Sequence, residues 1–431
     1  MRNPFTPSEI ASHPDDFFGR SAELETLERA LTQGSVAIHG PIGIGKSSLL
    51  ARGLTLMEGF DSDHSAKSVI AVGDKDIDTA DKAARLILQS FVTVDEEHKR
   101  VTFKIGSVFE RESAEICRNF VEGHHLASLK RIVEKEYMDL LLSDKELFII
   151  AIDEADKCPV ALARLIRSVV THTQQKGAKR VRFLLAGVSP FFQQMVDEDP
   201  GVSRFVYKTI SLEPLSEDDA TDLTQAKLAR TLESAEKEDK IELSVAPTIV
   251  ERVVALSGGH PHILQLLGSH LIEHENEDPD GIIDSRDLVN SLRRICYEDR
   301  ARVYDSTIHM LEVHGQLEAL RIFLTLAEPG FPTRSRRKTA LKNVGAESLK
   351  WLVSRDIISM PTADEYGLVD EFIRVRLELD EAESAEEVTA TEQKIIEVSV
   401  DPKVLEQDDW NQRLLESEVE RTEESEDDEE D

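Results

Sequence analysis

Apolar positions along the chain fall into two regimes that meet near Pro214. Before it, short apolar runs alternate with segments of helical spacing. Ser35–His39 (SVAIH), Lys67–Val72 (KSVIAV), the run inside ELFIIAIDEAD, Val181–Gly187 (VRFLLAG) and Val206–Leu212 (VYKTISL) read as strands. Leu147–Ile152 is apolar at every position, the pattern of a strand covered on both faces. Ser21–Leu31, Lys46–Met57, Thr79–Phe91, Leu126–Leu142 and Val160–Thr173 carry helical spacing; Leu24, Leu27 and Leu31 share one face. Residues 93–125 are ambiguous, with VTFKIG readable as a strand and Ser113–Val121 as a helix. Strands alternating with helices predict an α/β fold with a doubly wound, five-stranded parallel sheet.

After Pro214 the pattern turns helical. Ser216–Arg230 opens with a capping box of Ser216 and Asp219. Ala246–Leu256 and Pro261–Glu273 follow, split by Gly258-Gly259, and Ser285–Arg300 comes after the break ENEDPDG. Residues 301–380 hold further helices and a small hairpin around TADEYGLV. Beyond Leu379, Glu and Asp dominate; such a segment buries too little apolar surface to offset its ordering entropy, so 381–431 is expected to be a disordered acidic tail. A short amphipathic patch near Val404–Leu415, with Trp410, is its one docking candidate. The expected domains are 1–213, 214–300, 301–380 and the tail.

Composition narrows the class. Of 431 residues 40% are apolar but only 5% aromatic, so aliphatic side chains do most of the packing. The formal charge of −33 argues against a protein that coats nucleic acid or membrane surfaces. From Asp380 to Asp431 there are 22 acidic and 4 basic residues, which leaves an ordinary −15 for everything before. A local basic patch is therefore compatible with the total. Three scattered cysteines (Cys117, Cys158, Cys296) form neither a disulfide framework nor a zinc site and fit a reducing compartment. No signal peptide or membrane span is legible, so a cytoplasmic location is expected.

The chemistry sits at two strand ends. Gly40-Pro41-Ile42-Gly43-Ile44-Gly45-Lys46-Ser47 fits G-x-x-x-x-G-K-[ST], between a buried strand and a helix. Glycines let the backbone curl so that several N–H groups, Ser48 included, face a phosphate, and the helix adds its positive end. Lys46 would reach the outer phosphates and Ser47 a Mg²⁺ ion. The second end is IIAIDE: Asp153 suits the metal side and Glu154 the activation of water. Asp156 is expected to cap the next helix, or else to support either carboxylate. Ser189, after the fourth strand, is the candidate sensor of the terminal phosphate; Arg204 is the candidate cation acting across a subunit interface, or a surface residue paired with Asp197–Asp199.

These pieces in this order resemble the AAA+/STAND class of P-loop ATPases, and most of all bacterial and archaeal ATPases related to origin-recognition proteins. The likeness covers residues 3–380. NPFTP followed by FFGRSAELETLERAL resembles the element that flanks the adenine in that class, which implies roles there for Phe18, Gly19 and Arg20. Gly258-Gly259-His260-Pro261 is similar to the motif of the α-helical lid, which implies Pro261 near the base. His260 and His262 read as helix-terminal packing rather than as metal ligands. Ser189 departs from the Asn or Arg usual at its position. EALRIFLTLAE, AESLKWLVSRDIIS and MPTADEYGLVDEFIRVRL look like the helices and wing of a C-terminal winged-helix domain. Arg334, Arg336, Arg337, Lys338 and Lys342 cluster inside it and suit either DNA phosphates or a docked protein.

The expectation is an ATPase using ATP and Mg²⁺ as a molecular switch. Its output would be assembly into a homo-oligomer or control of a partner effector protein, with genome defence as the analogy the resemblance offers. A DNA-binding initiator or transposition-type ATPase is the first alternative. A nucleotide-binding scaffold without turnover is the second.

Overall fold

The computed structural model describes residues 1–58, 65–95, 97–105, 107–143, 145–176, 179–189, 191–239, 243–327, 330–382 and 384–400. The chain divides into two compact units, one of residues 10–213 and one of residues 1–9 with 214–431.

The first unit is built on five parallel strands: β1 (Ser35–His39), β2 (Ala66–Val72), β3 (Leu147–Asp153), β4 (Val181–Gly187) and β5 (Val206–Ser211). Their spatial order is β2-β3-β4-β1-β5. The unbroken apolar run of β3 is explained by cover on both faces. Phe148, Ile150 and Ile152 join Phe183 and Leu185 in one buried cluster; Ile149 and Ala151 join Val36, Ile38, Leu184 and Ala186 in the other. Helix α1 (Ser21–Gln33) and helix α2 (Lys46–Glu58) supply Leu27, Leu31, Leu49 and Leu54 to the second cluster. Because all five strands run the same way, their C-terminal ends share one edge. At that edge the chain order reverses around β1, the place where open α/β sheets bind ligands.

Two details differ from expectation. Residues 92–112 form a separate antiparallel sheet of Val92–Asp95, Arg100–Ile105 and Ser107–Glu112. The expected single helix Leu126–Leu142 is two, His125–Ile132 and Lys135–Leu141, broken where the Glu134 carboxylate turns back to Arg131 and to His172 Nε2 at 3.0 Å.

In the second unit, helices Glu217–Ser234, Ile249–Ser257, Pro261–Glu277 and Ser285–Arg294 pack together, the last running on as a single wide turn, Ile295–Asp299. Ser216 Oγ accepts the Asp219 N–H, one half of the capping box expected there. The N-terminal nine residues belong to this unit and not to the sheet. Phe5, 3% exposed, lies over Gly268, where a Cβ would sit 2.2 Å from its ring, and Lys227 Nζ donates to the Pro4 carbonyl at 2.7 Å. Further on come helices Ala301–Val313 and Leu317–Leu326, strand Arg334–Arg336, helices Arg337–Asn343 and Ala346–Ser354, and strands Ile358–Thr362 and Glu365–Leu368. The three strands make an antiparallel sheet with Glu365–Leu368 in the middle.

The acidic region corrects the expectation of disorder from residue 381. Ala385–Val398 is a helix capped by Ser384, with Ile395 and Ile396 buried. Glu392, 1% exposed, takes a bidentate pair from Arg293 at 2.5 and 2.6 Å. The Val404–Leu415 patch lies outside the described residues. Among the described residues no helix is long and apolar enough to cross a membrane.

Candidate functional site

The loop from Gly40 to Ser48 leaves β1 at the shared edge and opens α2. Gly43 and Gly45 have φ of +81° and +98°, a conformation that L side chains rarely adopt. At Gly40 space is the second constraint: a Cβ would lie 2.8 Å from the Leu212 carbonyl oxygen. Ile44 is buried under the loop, while Ile42 stands 69% exposed at its tip. Lys46 is only 9% exposed, and its ammonium donates to the carbonyls of Gly40 at 3.0 Å and Pro41 at 2.6 Å. Ser47 is half-buried at the first turn of α2, and Ser48 Oγ accepts the Ala11 N–H at 3.1 Å.

Arg20 holds the loop in place. It is buried and grips backbone: Nη2 donates to the Ile44 carbonyl at 3.2 Å and to the Glu213 carbonyl at 2.6 Å, while Nη1 meets Glu23 at 3.0 Å. It ties the loop to the segment leaving β5. Gly19 turns the chain into this contact with φ +65°, and Phe18 beside it is half-buried. Burial pushes the neighbouring Glu213 carboxyl up from its usual range, against the pull of a Ser211 hydrogen bond and the Arg20 charge.

Asp153 ends β3 and Glu154 follows it in the left-handed region, φ +49°. The Asp153 carboxylate accepts the Glu154 N–H at 2.9 Å, which fixes the pair, and the Glu154 side chain is exposed. The turn is possible because residue 73 is glycine. Its N–H donates to the Asp153 carbonyl at 2.8 Å, and a Cβ there would sit 2.3 Å from the Glu154 carbonyl oxygen. Sequence reading passed over Gly73; its position just past β2 was the available signal. Asp156 caps no helix. Its Oδ1 accepts the Val188 N–H at 3.0 Å and so locks the turn that carries Ser189.

Ser189 is met from the other side by His39, the last residue of β1, whose Nδ1 lies 3.2 Å from its Oγ. His39 too was missed, although it is the polar residue at the end of an apolar strand. Burial, and then the charge of Lys46, lowers its pKa. Loop, Ser189 and Asp153-Glu154 thus lie on adjacent strands β1, β4 and β3 at one edge, about 10 Å from end to end at sheet spacing.

One candidate of the first unit lies away from that edge. Arg204 ends the short helix Pro200–Arg204 just before β5, at the sheet edge opposite the loop. It is exposed and has no ion pair among the described residues; Asp199 instead pairs with Arg167 at 2.6 Å, and Asp197 accepts from Gln193. Pro261 belongs to the second unit, at the first turn of Pro261–Glu277. There Gly259 (φ +75°) packs so tightly that a Cβ would meet the Leu215 carbonyl at 2.3 Å. His262 Nδ1 lies 3.1 Å from the Pro7 carbonyl. Among the described residues no group of His, Cys, Asp and Glu is arranged to hold a metal by itself. The loop nevertheless fits a nucleotide's phosphates: Gly43 and Gly45 hold positive φ, Gly40 has no room for a side chain, and one buried ammonium already rests on the loop's carbonyls.

A parallel sheet of this order, with a glycine loop feeding a helix on β1 and paired carboxylates on β3, defines a P-loop nucleoside triphosphatase fold. The chain belongs to the family described as Novel STAND NTPase 1, which it matches over residues 7–377. Among solved structures it is similar to the Walker-type ATPase of Pyrococcus abyssi, at 14% identity and a TM-score of 0.52 over 86% of this chain and 98% of that one. It is also similar to the ORC2 protein of Aeropyrum pernix in its ADPNP–ADP complexes, at 14% identity and a TM-score of 0.51 over 91% and 97%. At such identity the two likenesses speak to fold alone. No curated protein sequence matches the chain.

Proposed function

We propose that the chain is an ATP-driven switch that binds and hydrolyses ATP to control its own assembly or a partner effector. The observation that carries this reading is the shared edge: a loop with one buried cation, and next to it an exposed carboxylate held in a strained turn. Lys46 and the loop N–H groups would hold the phosphates. Ser47 and Asp153 would hold Mg²⁺, which when bound supplies charge neutralisation at the phosphates. Glu154, exposed beyond Asp153, orients and deprotonates the attacking water. Ser189 contacts the terminal phosphate. Arg204, one strand length or ~20 Å from its own loop, acts on a second copy. Mass spectrometry of nucleotide and protein retained by Glu154→Gln tests this. Retained ATP with a stoichiometric partner or self-assembly supports it; wild-type turnover no higher than that of Glu154→Gln, with every presented partner, leaves a scaffold without hydrolysis.

A second reading has its own observation. Arg334, Arg336, Arg337, Lys338 and Lys342 are all exposed, and none has an ion pair among the described residues; Arg337 Nη1 reaches only the Ala363 carbonyl. Residues 317–368 have the helix and strand order of a winged helix. On this reading the five cations bind DNA phosphates, and low-salt binding to duplex is the test.

A further inference from the structure

His39 has no assigned role, and its geometry with Ser189 is specific. Across the β1–β4 ladder the residue opposite His39 is Gly187. With no side chain there, the imidazole spans the gap and reaches Ser189, two residues further on, at 3.2 Å. Gly187 cannot be enlarged without movement: a Cβ would lie 2.9 Å from the Phe191 ring and 3.1 Å from Asp156 Oδ1. Asp156 in turn holds Val188. The turn and the hydroxyl are therefore held separately. Asp156, in the turn after Asp153-Glu154, holds the Val188 N–H just before Ser189, and His39, the residue that adjoins Gly40, meets the Ser189 hydroxyl itself.

We infer that His39 positions the Ser189 hydroxyl toward the terminal phosphate, so that the two residues together report whether the bound nucleotide carries one. The inference rests on the ATP reading above and deepens it. Burial and the nearby Lys46 keep the imidazole neutral at neutral pH, so it has one N–H to place. With the proton on Nδ1, the ring donates to Ser189 Oγ and leaves the serine proton for a phosphate oxygen. With the proton on Nε2, serine donates to the ring and turns its lone pairs outward, toward a charge it would repel. The Nδ1–H form is the one that recognises ATP. His39 is thus a positioning residue that acts through Ser189.

The test compares wild type, Ser189→Ala, His39→Leu, His39→Asn and the His39→Leu/Ser189→Ala double variant. For each, the affinities for Mg-ATP and Mg-ADP are measured together with kcat and KM. Each of Ser189→Ala and His39→Leu is expected to lower kcat and the preference for ATP over ADP by about tenfold, at unchanged ADP affinity. The unchanged ADP affinity shows that the loop is still folded. The double variant is expected to be no worse than either single one, because the residues act as a unit. His39→Asn, whose side chain offers a donor close to the place of Nδ1, is expected to recover most of the loss. Wild-type behaviour of His39→Leu, a double variant impaired by the product of the two single losses, or His39→Asn as weak as His39→Leu would each overturn the inference. If turnover is too slow to follow, the ATP-to-ADP affinity ratio gives the same comparison. Failure of the wider reading looks different: wild type binds neither nucleotide, or Lys46→Ala binds both as well as wild type.

Discussion

Two sets of cations in this chain are held in opposite ways. Lys46 and Arg20 are buried, and each rests on main-chain carbonyls of the loop they serve. Arg334, Arg336, Arg337, Lys338 and Lys342 are exposed and have no ion pair among the described residues. Burying a charge is costly unless it is partnered. The first set therefore marks a site whose form is set by the fold, and the second a surface whose use depends on what arrives. The difference shows why ATP binding can be argued from geometry while DNA binding needs an experiment.

The comparison breaks most sharply at Lys46. Lys46→Ala is expected to weaken ATP binding at least a hundredfold, roughly 3 kcal/mol, by isothermal titration; retained affinity would mean that the buried cation serves structure alone. Gly73→Ala comes next. Its methyl group would displace the Glu154 carbonyl, so turnover is expected to fall by more than tenfold while ATP affinity changes less than about threefold. Equal loss of both would show that the acidic turn and the loop are one mechanical piece. Changing Arg334, Arg336 and Arg337 to Glu tests the outward set. If these residues meet DNA, duplex affinity falls and the slope of log affinity against log salt drops by about 3; if wild type binds no duplex at low salt, the surface is for protein.

The smallest expected effect concerns a third kind of charge, buried without a cation to neutralise it fully. Glu371 is wholly enclosed, and burial pushes its pKa up to about 7 despite hydrogen bonds from the Thr333 N–H at 2.7 Å and hydroxyl at 2.5 Å and the nearby Arg374; Asp370 adds to the rise. The folded state therefore holds a proton that the unfolded chain releases nearer pH 4.5. Stability from this group is full below that value and is lost as pH rises toward 7. Denaturant melts of the second unit are expected to show lower stability at pH 8 than at pH 5.5, with the difference reduced in Glu371→Gln. An unchanged difference in that variant would assign the effect to other carboxyls.

The sheet, the loop and the acidic pair were legible because each is local: an apolar run, a glycine spacing, carboxylates at a strand end. His39 and Gly73 were not, because their importance arises from register. His39 matters through Gly187 opposite it, and Gly73 through the Glu154 carbonyl just past the neighbouring strand. The carbonyl partners of Arg20 were not legible either, because only the folded chain brings Ile44 and Glu213 near it. The helix Ala385–Val398 was hidden by its own composition. Averaged over the acidic region it looks solvated, but Ile395, Ile396 and the Arg293–Glu392 pair suffice to seat it.

The place of Arg204 carries a kinetic consequence. If this guanidinium, at the sheet edge opposite its own loop, serves a neighbour's loop as proposed, a lone molecule has an incomplete site. Hydrolysis per molecule should then rise with the amount of protein present, nearly in proportion at high dilution, and level off once neighbours are always at hand. Such a chain would count copies of itself: the rate would read how crowded the molecules are before any other signal is needed.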